Sequence, residues 1–324
     1  MSLVPHAAQR NRAELVVHAH SRRVVSVTAI RLDRLGKRYG RLPALRDVSL
    51  DVPVGDVFGF LGLNGAGKTT TIRILLDLVR PTTGRATVFD RDCQTQGLAV
   101  RAQLGYLPGE PGFYGDMAGE ATLDLLGRLS AHRIDPAWRR TLLDRLEFAA
   151  SDLRRPVREY STGMKRKLGI VQAFQADAPL LVLDEPTEGL DPLMQEAFYE
   201  LLGEVRRRGR TVFMSSHVVP EVERVCDRLA LLREGRLALI STIEELRSLA
   251  GRRVRASFAA DVDPPAAWPP DCEVISVAPR LWDMRVRGSI ASFVSLVAAR
   301  PLADLDVQTP RLEDVLRKYY AAQS

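Results

Sequence analysis

The sequence has few of the features that mark membrane-spanning, secreted or disulfide-stabilised proteins. Its three cysteines, Cys93, Cys226 and Cys272, are far apart and odd in number, so we expect reduced thiols rather than disulfides or a zinc site. No run of apolar residues approaches the ~20 that are needed to cross a bilayer. If the protein serves a membrane process, another chain must supply the membrane-spanning part.

A signal-peptide pattern is also missing, and lysine is scarce. Residues 1–25 contain no unbroken apolar segment of signal-peptide length, so we expect residues 1–28 to be a loose cytosolic tail or an over-extended start. Only five of the 46 basic residues are lysines, and the formal net charge is +6. Because the arginines are spread along the chain, we expect a solvated basic surface and no nucleic-acid partner.

Hydrophobic periodicity predicts an α/β protein with two domains. The chain has 324 residues, of which 46% are hydrophobic, and this is enough for one large core and one smaller core. Apolar runs bounded by turn residues predict strands, and apolar residues at helical spacing predict helices. The strands are predicted at residues 27–35, 48–52, 57–61, 85–89, 180–183, 211–214, 229–232 and 237–240, and the helices at 68–80, 194–205 and from 220, with residues 97–178 mostly helical.

A shift in composition marks a second unit at the C-terminal end. A proline-rich loop at residues 263–270 lies inside it, among patterns that predict a small α+β domain. Its strands are predicted at 254–258, 274–277 and 281–286, and its helices at 289–299 and 311–320. The predicted division of the chain is a tail over residues 1–28, a core unit over 29–244 with a helical part at about 97–178, and an accessory unit over 245–324.

Residues 62–69 match a phosphate-binding loop, in which four free positions separate a glycine from Gly-Lys-Thr. Glycines let the backbone turn so that successive N–H groups point at phosphate oxygens, and the following helix adds its positive dipole end. Lys68 would bring a charge to the β- and γ-phosphates, and the Thr69 hydroxyl would ligate magnesium. The loop follows an apolar strand and opens an amphipathic helix, which disfavours a chance glycine turn. The predicted nucleotide-binding residues are Gly62, Leu63, Asn64, Gly65, Ala66, Gly67, Lys68, Thr69 and Thr70.

Residues 180–185 supply the second half of such a site. The apolar run 180–183 predicts a buried strand that ends at Asp184, whose carboxylate can hold magnesium directly or through water. Glu185 projects differently and can polarise an attacking water. Alone, this motif could be a solvated acidic turn. Together with the phosphate-binding loop it predicts a complete site for magnesium and a nucleotide.

A third segment resembles the signature of the ATP-binding-cassette (ABC) family, Leu-Ser-Gly-Gly-Gln. This chain has Tyr160-Ser-Thr-Gly-Met164 shortly before the acidic motif, with Ser161 and Gly163 at matching positions. The other three residues depart from the signature and resemble the variant of bacterial drug exporters of the daunorubicin-resistance type. The resemblance implies that a helix N-terminus here offers N–H groups and a hydroxyl to a phosphate of the ATP held by the other subunit.

The resemblance covers about residues 29–240 and implies roles for further residues. Tyr39 takes the position of an aromatic residue that stacks on adenine, although an ordinary tyrosine at a strand end is the alternative. Residues 189–191 fit the loop that communicates across the dimer. His217 fits the histidine that senses the γ-phosphate.

One position departs from the family in a way that affects the site. After residues 105–108 the family has a glutamine that reaches the metal and the water and relays the nucleotide state to the membrane partner. This chain has Gly109 and then Glu110. Gly109 has no side chain for that contact, so either Glu110 makes it or the contact is absent.

The residues and the resemblance together predict a fold and a function. The expected fold is an α/β phosphate-loop NTPase cassette, with a mixed sheet and a helical subdomain, followed by a small α+β domain. The resemblance implies an ATPase whose homodimer holds ATP and Mg²⁺ and drives a separate transmembrane permease. We expect it at the cytoplasmic face of the membrane, or in the cytoplasm when unassembled. The implied cargo is an antibiotic, another hydrophobic small molecule or a lipid-like compound, moved outward.

Two other functions fit parts of the sequence less well. An ABC ATPase that acts on nucleic acid or ribosomes would have a long coiled coil between the two motifs or a second cassette, and neither pattern is found between Lys68 and Asp184 or elsewhere. The basic charge still keeps this alternative open. A nucleotide-binding regulator without turnover is disfavoured because Glu185 and His217 are both present.

Overall fold

The computed structural model describes residues 27–309 and 311–321, so nearly all of the predicted tail lies outside the described residues. The strands are β1 Thr28–Tyr39, β2 Leu42–Pro53, β3 Val57–Leu61, β4 Thr83–Val88, β5 Arg91–Asp92, β6 Leu104–Leu107, β7 Leu180–Asp184, β8 Thr211–Ser216, β9 Arg228–Arg233, β10 Arg236–Thr242, β11 Arg252–Phe258, β12 Cys272–Ala278, β13 Leu281–Val286 and β14 Leu302–Gln308. The α-helices are α1 Lys68–Leu75, α2 Gly97–Arg101, α3 Gly119–Leu129, α4 Pro136–Arg145, α5 Ala150–Leu153, α6 Thr162–Phe174, α7 Pro192–Arg207, α8 Val219–Val225, α9 Ile243–Ala250, α10 Ala291–Ala298 and α11 Leu312–Ala321.

A six-stranded sheet in the order β10-β9-β3-β8-β7-β6 forms the centre of the larger unit. Strands β9, β3, β8, β7 and β6 run parallel, and β10 closes the edge as an antiparallel hairpin with β9. Every residue of β3, β7 and β8 is buried. Helices therefore cover both faces of this sheet, as continuous apolar strands require.

A second, antiparallel sheet in the order β2-β1-β4-β5 packs beside the first. One apolar cluster joins residues of this sheet, such as Ile30 and Val48, to Phe58 of β3 and to Ile72 of α1. Helix α1 is therefore enclosed between the two sheets, and the phosphate-binding loop that precedes it is anchored on both sides.

The structure differs from the predicted elements of the larger unit at two places, although residues 97–178 are mostly helical as predicted. Helix α1 ends at Leu75 rather than at residue 80, because Asp77 takes a left-handed conformation with φ 56° and turns the chain. Within the segment predicted as mostly helical, Leu104–Leu107 is a strand that pairs in parallel with β7. A strand of four residues is too short to show an alternating pattern in the sequence. This strand packs closely against α6, since a Cβ at Gly105 would lie only 2.1 Å from the Ala173 carbonyl oxygen.

The accessory unit has its own antiparallel sheet, in the order β12-β13-β11-β14. Its separate core includes Val254, Trp282 and Phe293, the last from α10. The sequence did not predict β14 or α9. The predicted boundary at residue 245 lies inside α9, and α9 and α11 contribute to the core of the larger unit rather than to the accessory core.

Candidate functional site

The phosphate-binding loop joins the buried end of β3 to the first residue of α1. Gly65 and Gly67 have φ values of 80° and 113°, which a residue with a side chain rarely adopts. A Cβ at Gly67 would also lie 2.6 Å from the Ala44 carbonyl oxygen. The glycines are thus required by the backbone conformation and by close packing, and the loop leads directly into the positive end of a helix.

Lys68 is buried at the start of α1 and points back across the loop. Its Nζ donates a hydrogen bond to the Gly62 carbonyl oxygen at 2.6 Å and lies 3.0 Å from Glu185 Oε1. The two motifs recognised in the sequence therefore meet in space. Thr69 and Thr70 follow on the same helix and are half-buried.

Asp184 and Glu185 stand at the carboxyl end of β7, where Ser215 of β8 holds both residues. The Ser215 hydroxyl donates to Asp184 Oδ1 at 2.5 Å and accepts the Glu185 backbone N–H at 3.0 Å. Glu185 has a φ of 47°, a region that residues other than glycine seldom occupy. Because β7 and β8 are neighbours, this serine fixes the bend that separates the two carboxylates.

The Glu185 carboxylate lies between a lysine and a histidine. Its Oε1 faces Lys68 at 3.0 Å, and its Oε2 lies 2.9 Å from Nδ1 of His217. His217 follows β8 directly, so the parallel order of β3, β8 and β7 brings all three side chains to one edge of the sheet. A carboxylate at this position can accept a proton from water while a cation stands beside it.

A buried glutamate that the sequence analysis missed ties two of these segments together. Glu221 of α8 is 9% exposed and accepts hydrogen bonds from the Thr187 hydroxyl at 2.6 Å and the Ser216 hydroxyl at 2.9 Å. Thr187 follows Glu185, and Ser216 precedes His217. The signal that could have identified it is a glutamate on the buried face of a helix, four positions after the histidine.

The segment that resembles the ABC signature caps helix α6. The Ser161 hydroxyl accepts the Met164 N–H at 3.2 Å, and Tyr160 is buried with its hydroxyl donating to the Asp152 carbonyl oxygen at 2.7 Å. A Cβ at Gly163 would lie 3.5 Å from the Gly189 carbonyl oxygen. The signature segment thus lies against the loop that follows Glu185.

Tyr39 lies at the end of β1, and its side chain is 45% exposed. Lys37 Nζ stands 5.0 Å from the centre of its ring. The partner strand β2 provides the carbonyl group of Ala44 that touches Gly67. The tyrosine therefore belongs to the hairpin that borders the phosphate-binding loop, and its side chain is exposed.

The position of the missing glutamine lies close to Asp184. A Cβ at Gly109 would stand 3.6 Å from Asp184 Oδ2, whereas Glu110 has an exposed side chain. Tyr106, in the same segment, has its phenol pKa raised first by burial and then by the negative charge of Asp184. The segment thus lies beside the acidic motif even without a glutamine.

The residues present suit magnesium. Mg²⁺ prefers oxygen ligands and usually takes only one or two from a protein, with the rest from water and phosphate. The Asp184 carboxylate is buried and one of its oxygens already accepts from Ser215, so the other remains to face an ion. With the hydroxyl of Thr69 this gives the oxygen donors that a metal–nucleotide complex needs, and the metal would neutralise phosphate charge.

The fold and the arrangement of these motifs define a phosphate-loop ATPase of the cassette type, and comparisons with known proteins agree. The profile of the ABC transporter family matches residues 45–188. The daunorubicin resistance ATP-binding protein DrrA3 of Streptomyces coeruleorubidus is 36% identical over 228 residues, which cover 69% of this chain and 71% of the relative. The bacitracin transport ATP-binding protein BcrA of Bacillus licheniformis is 34% identical over 217 residues, covering 65% and 68%.

Solved structures agree with this result. A structure described as the ATP-binding subunit of an ABC transporter is 30% identical, with a TM-score of 0.63 over 68% of this chain and 93% of that one. A dimeric bacterial ABC transporter cassette is 20% identical with a TM-score of 0.61, covering 66% and 98%, and supports the fold.

The chain therefore belongs to the ATP-binding proteins of ABC transporters. The predictions of the cassette fold, of ATPase activity and of an ATP-hydrolysing motor subunit of an export system are confirmed. It is an ATPase of a transporter family. Within residues 27–309 and 311–321, no helix has the length and apolar character needed to cross a membrane.

Proposed function

We propose that two copies of this chain bind two ATP molecules with Mg²⁺ between them and drive a separate permease that exports hydrophobic or lipid-like compounds. The observation that carries the proposal is the Glu185 carboxylate, held between Lys68 at 3.0 Å and His217 at 2.9 Å. In the proposed complex Glu185 polarises the attacking water, and His217 contacts the γ-phosphate.

Each site in this dimer would be shared between subunits. The phosphate-binding loop of one subunit holds the nucleotide, and Ser161 and Gly163 of the other cover the γ-phosphate with a helix N-terminus. Tyr39 stacks on the adenine, and Thr69 with Asp184 holds the metal. ATP binding closes the pair and hydrolysis reopens it, so that two states alternate under control of the γ-phosphate.

The permease and the cargo are proposed from the relatives. Their names describe daunorubicin resistance, bacitracin transport and, for a protein of Bradyrhizobium diazoefficiens that is 36% identical over 216 residues, Nod factor export. These names describe resistance, transport and export, which supports an outward-bound cargo. We place the protein at the cytoplasmic face of the membrane, attached through its permease.

Substitution of the proposed base tests the shared site. Glu185→Gln keeps the phosphate-binding loop and Asp184, so ATP should bind and hold two subunits together, while hydrolysis falls by about 10²–10⁴-fold. Size-exclusion chromatography with MgATP, with and without the permease, should therefore give a stable dimer of this variant. Glu120→Gln is the control, since its side chain is exposed on α3 and its turnover should equal that of the wild type.

Two results would refute the proposal. Wild-type turnover in Glu185→Gln would show that another group is the base. A variant that stops hydrolysis but stays monomeric with MgATP in the presence of the permease would exclude the shared site. Copurification from solubilised membranes tests the partner, because ribosomes or DNA in place of a multi-span protein would favour the alternative function.

A further inference from the structure

We propose that Arg166 is a positioning residue that couples the loop after Glu185 to the segment at Pro108 and Gly109, where the chain has no side chain to make the connection. The proposal rests on the function proposed above, since it concerns how the Glu185 site is linked to the rest of the subunit. Nothing in the motifs required an arginine with this role.

Three separate segments meet at the Arg166 guanidinium. From helix α6, its Nε donates to the Glu188 carbonyl oxygen at 3.0 Å and one Nη donates to the Pro108 carbonyl oxygen at 3.0 Å. The other Nη donates to the Gly109 carbonyl oxygen. The planar group thus joins the signature helix, the loop after the base and the segment after β6.

The side chain is buried without a direct carboxylate partner. Arg166 is 5% exposed, and burial lowers its pKa, while Glu188 and then Asp184 and Glu185 favour its charged form from a distance. A buried charge is costly unless its hydrogen bonds are made, and here three carbonyl groups accept them. A lysine could not reproduce this arrangement, because its single nitrogen cannot span three carbonyls as the guanidinium does.

The hydrogen bonds of Arg166 connect the turn that contains the proposed base with a segment that leads to an apolar groove. At one end, the Glu188 N–H bonds to the Glu185 carbonyl oxygen at 3.2 Å, so the turn contains the proposed base itself. At the other end, Gly109 lies beside Asp184 and leads to Pro111, which lines an apolar groove of about 230 Å³ together with Phe113. A shift of the turn after Glu185 would therefore move the segment 108–111 through hydrogen bonds to its main chain.

This arrangement explains how the chain functions with glycine at position 109. A side chain at position 109 would reach Asp184 directly. The Arg166 guanidinium instead binds main-chain carbonyl groups of both segments, at Glu188 and at residues 108–109. Because the three donors belong to one rigid group, a displacement of one acceptor is passed to the others. Coupling between the nucleotide and the groove then depends on Arg166 rather than on residue 109.

Hydrogen–deuterium exchange with and without MgATP tests the coupling, in the Glu185→Gln background so that ATP persists. With Arg166 present, nucleotide should change exchange in both segments 185–191 and 104–114. With Arg166→Met, the change at 185–191 should remain and the change at 104–114 should be lost. Arg139→Met is the matched control, because Arg139 is bound to Asp124 and the Leu123 carbonyl group in the helical subdomain, and it should keep both changes.

Each of the following results would refute either the proposed nucleotide site or the proposed role of Arg166. No response at 185–191 with Arg166 present would contradict the proposed nucleotide site itself. A response there with none at 104–114, or a response at 104–114 that survives Arg166→Met, would overturn only the role of Arg166. Loss of both responses on substitution would overturn it too, since the residue would then support binding rather than coupling.

Steady-state kinetics, measured with Glu185 intact, add a readout that general destabilisation would not give. Arg166→Met should leave the KM for ATP within about threefold while kcat falls by up to about 100-fold, as expected when a reacting group is misplaced. If the methionine variant does not fold, Arg166→Lys keeps the charge and should show the same loss. Equal changes in kcat and KM would refute a positioning role.

Discussion

Glu221 provides the sharpest test of how the nucleotide site is held in shape. The substitution is Glu221→Ala, which removes the buried carboxylate shared by the Thr187 and Ser216 hydroxyls. Thr187 lies two residues after Glu185, and Ser216 immediately precedes His217. We expect the variant to lose both stability and turnover, although Glu221 is not proposed to touch ATP.

The size of the stability loss follows from the contacts. Each hydrogen bond to a charged acceptor contributes about 1.5–3 kcal/mol, but removing a buried carboxylate also removes its desolvation cost. Ser216 keeps a second partner, since its Oγ accepts the Val218 N–H at 2.9 Å. The free energy of unfolding should therefore fall by about 2–4 kcal/mol.

Urea unfolding and ATPase kinetics measure the two effects, and Glu223→Ala is the control. Glu223 lies two residues further on α8 and accepts longer hydrogen bonds, from Arg247 at 3.2 Å and from the Leu312 N–H at 3.3 Å. This control should lose about 1 kcal/mol of stability and no turnover. Glu221→Ala should lose up to about 100-fold in kcat. Equal kcat values for the two variants would refute the reasoning.

Three further predictions concern nucleotide binding and the accessory sheet. Lys68→Ala should abolish detectable ATP binding by calorimetry, because it removes the cation at the phosphates. Tyr39→Ala should weaken ATP binding by about 1–3 kcal/mol and Tyr39→Phe should not, and equal losses would exclude stacking. Arg253 and Arg255 lower the pKa of Asp283, so their stabilisation is present above the ordinary carboxyl pKa and is lost as the pH falls through the lowered value. Asp283→Asn should therefore cost about 1–2 kcal/mol in urea unfolding at neutral pH and progressively less in acid, and a constant difference would contradict this.

The sequence alone predicted the elements that depend on interactions between neighbouring residues. The phosphate-binding loop, the buried run before Asp184 and the strand before His217 each have a pattern that sterics or burial imposes on neighbouring residues. The helical spacing after the loop was also correct, although the end of α1 was not. Asp77 sets that end through a left-handed backbone conformation, which aspartate adopts more readily than most residues but which helical spacing does not reveal.

The contacts that the sequence could not predict join distant residues through main-chain atoms or buried polar pairs. Arg166 and Gly109 are 57 positions apart, and the contact is made with a carbonyl group that every residue has. Glu221 and Thr187 are 34 positions apart. The left-handed backbone of Glu185 depends on the Ser215 hydroxyl of the neighbouring strand, so it follows from sheet order rather than from local propensity.

The course of the C-terminal chain leads to a prediction about its two units. Leu246 of α9 and Leu316 of α11 are fully buried in the core of the cassette, whereas Trp282 belongs to a separate core. Arg253 and Gln308 are paired on neighbouring strands. The chain therefore enters and leaves the accessory sheet at nearly the same place. Residues 252–308 therefore have the arrangement of an insertion between two cassette helices.

Replacement of residues 252–308 by a short Gly-Ser linker should leave the cassette folded, because the ends to be joined lie about 5 Å apart. The ATP affinity should stay within about threefold, since all the proposed nucleotide contacts lie before residue 245. A chain that stops after residue 250 also lacks α11 and exposes Leu246, so it should lose at least about 3 kcal/mol of stability relative to the linked chain. Thermal unfolding and ATP titration of both chains distinguish the two cases. If the linked chain loses ATP binding while still folded, the accessory sheet contributes to the nucleotide site; if both chains unfold alike, α11 does not complete the cassette core.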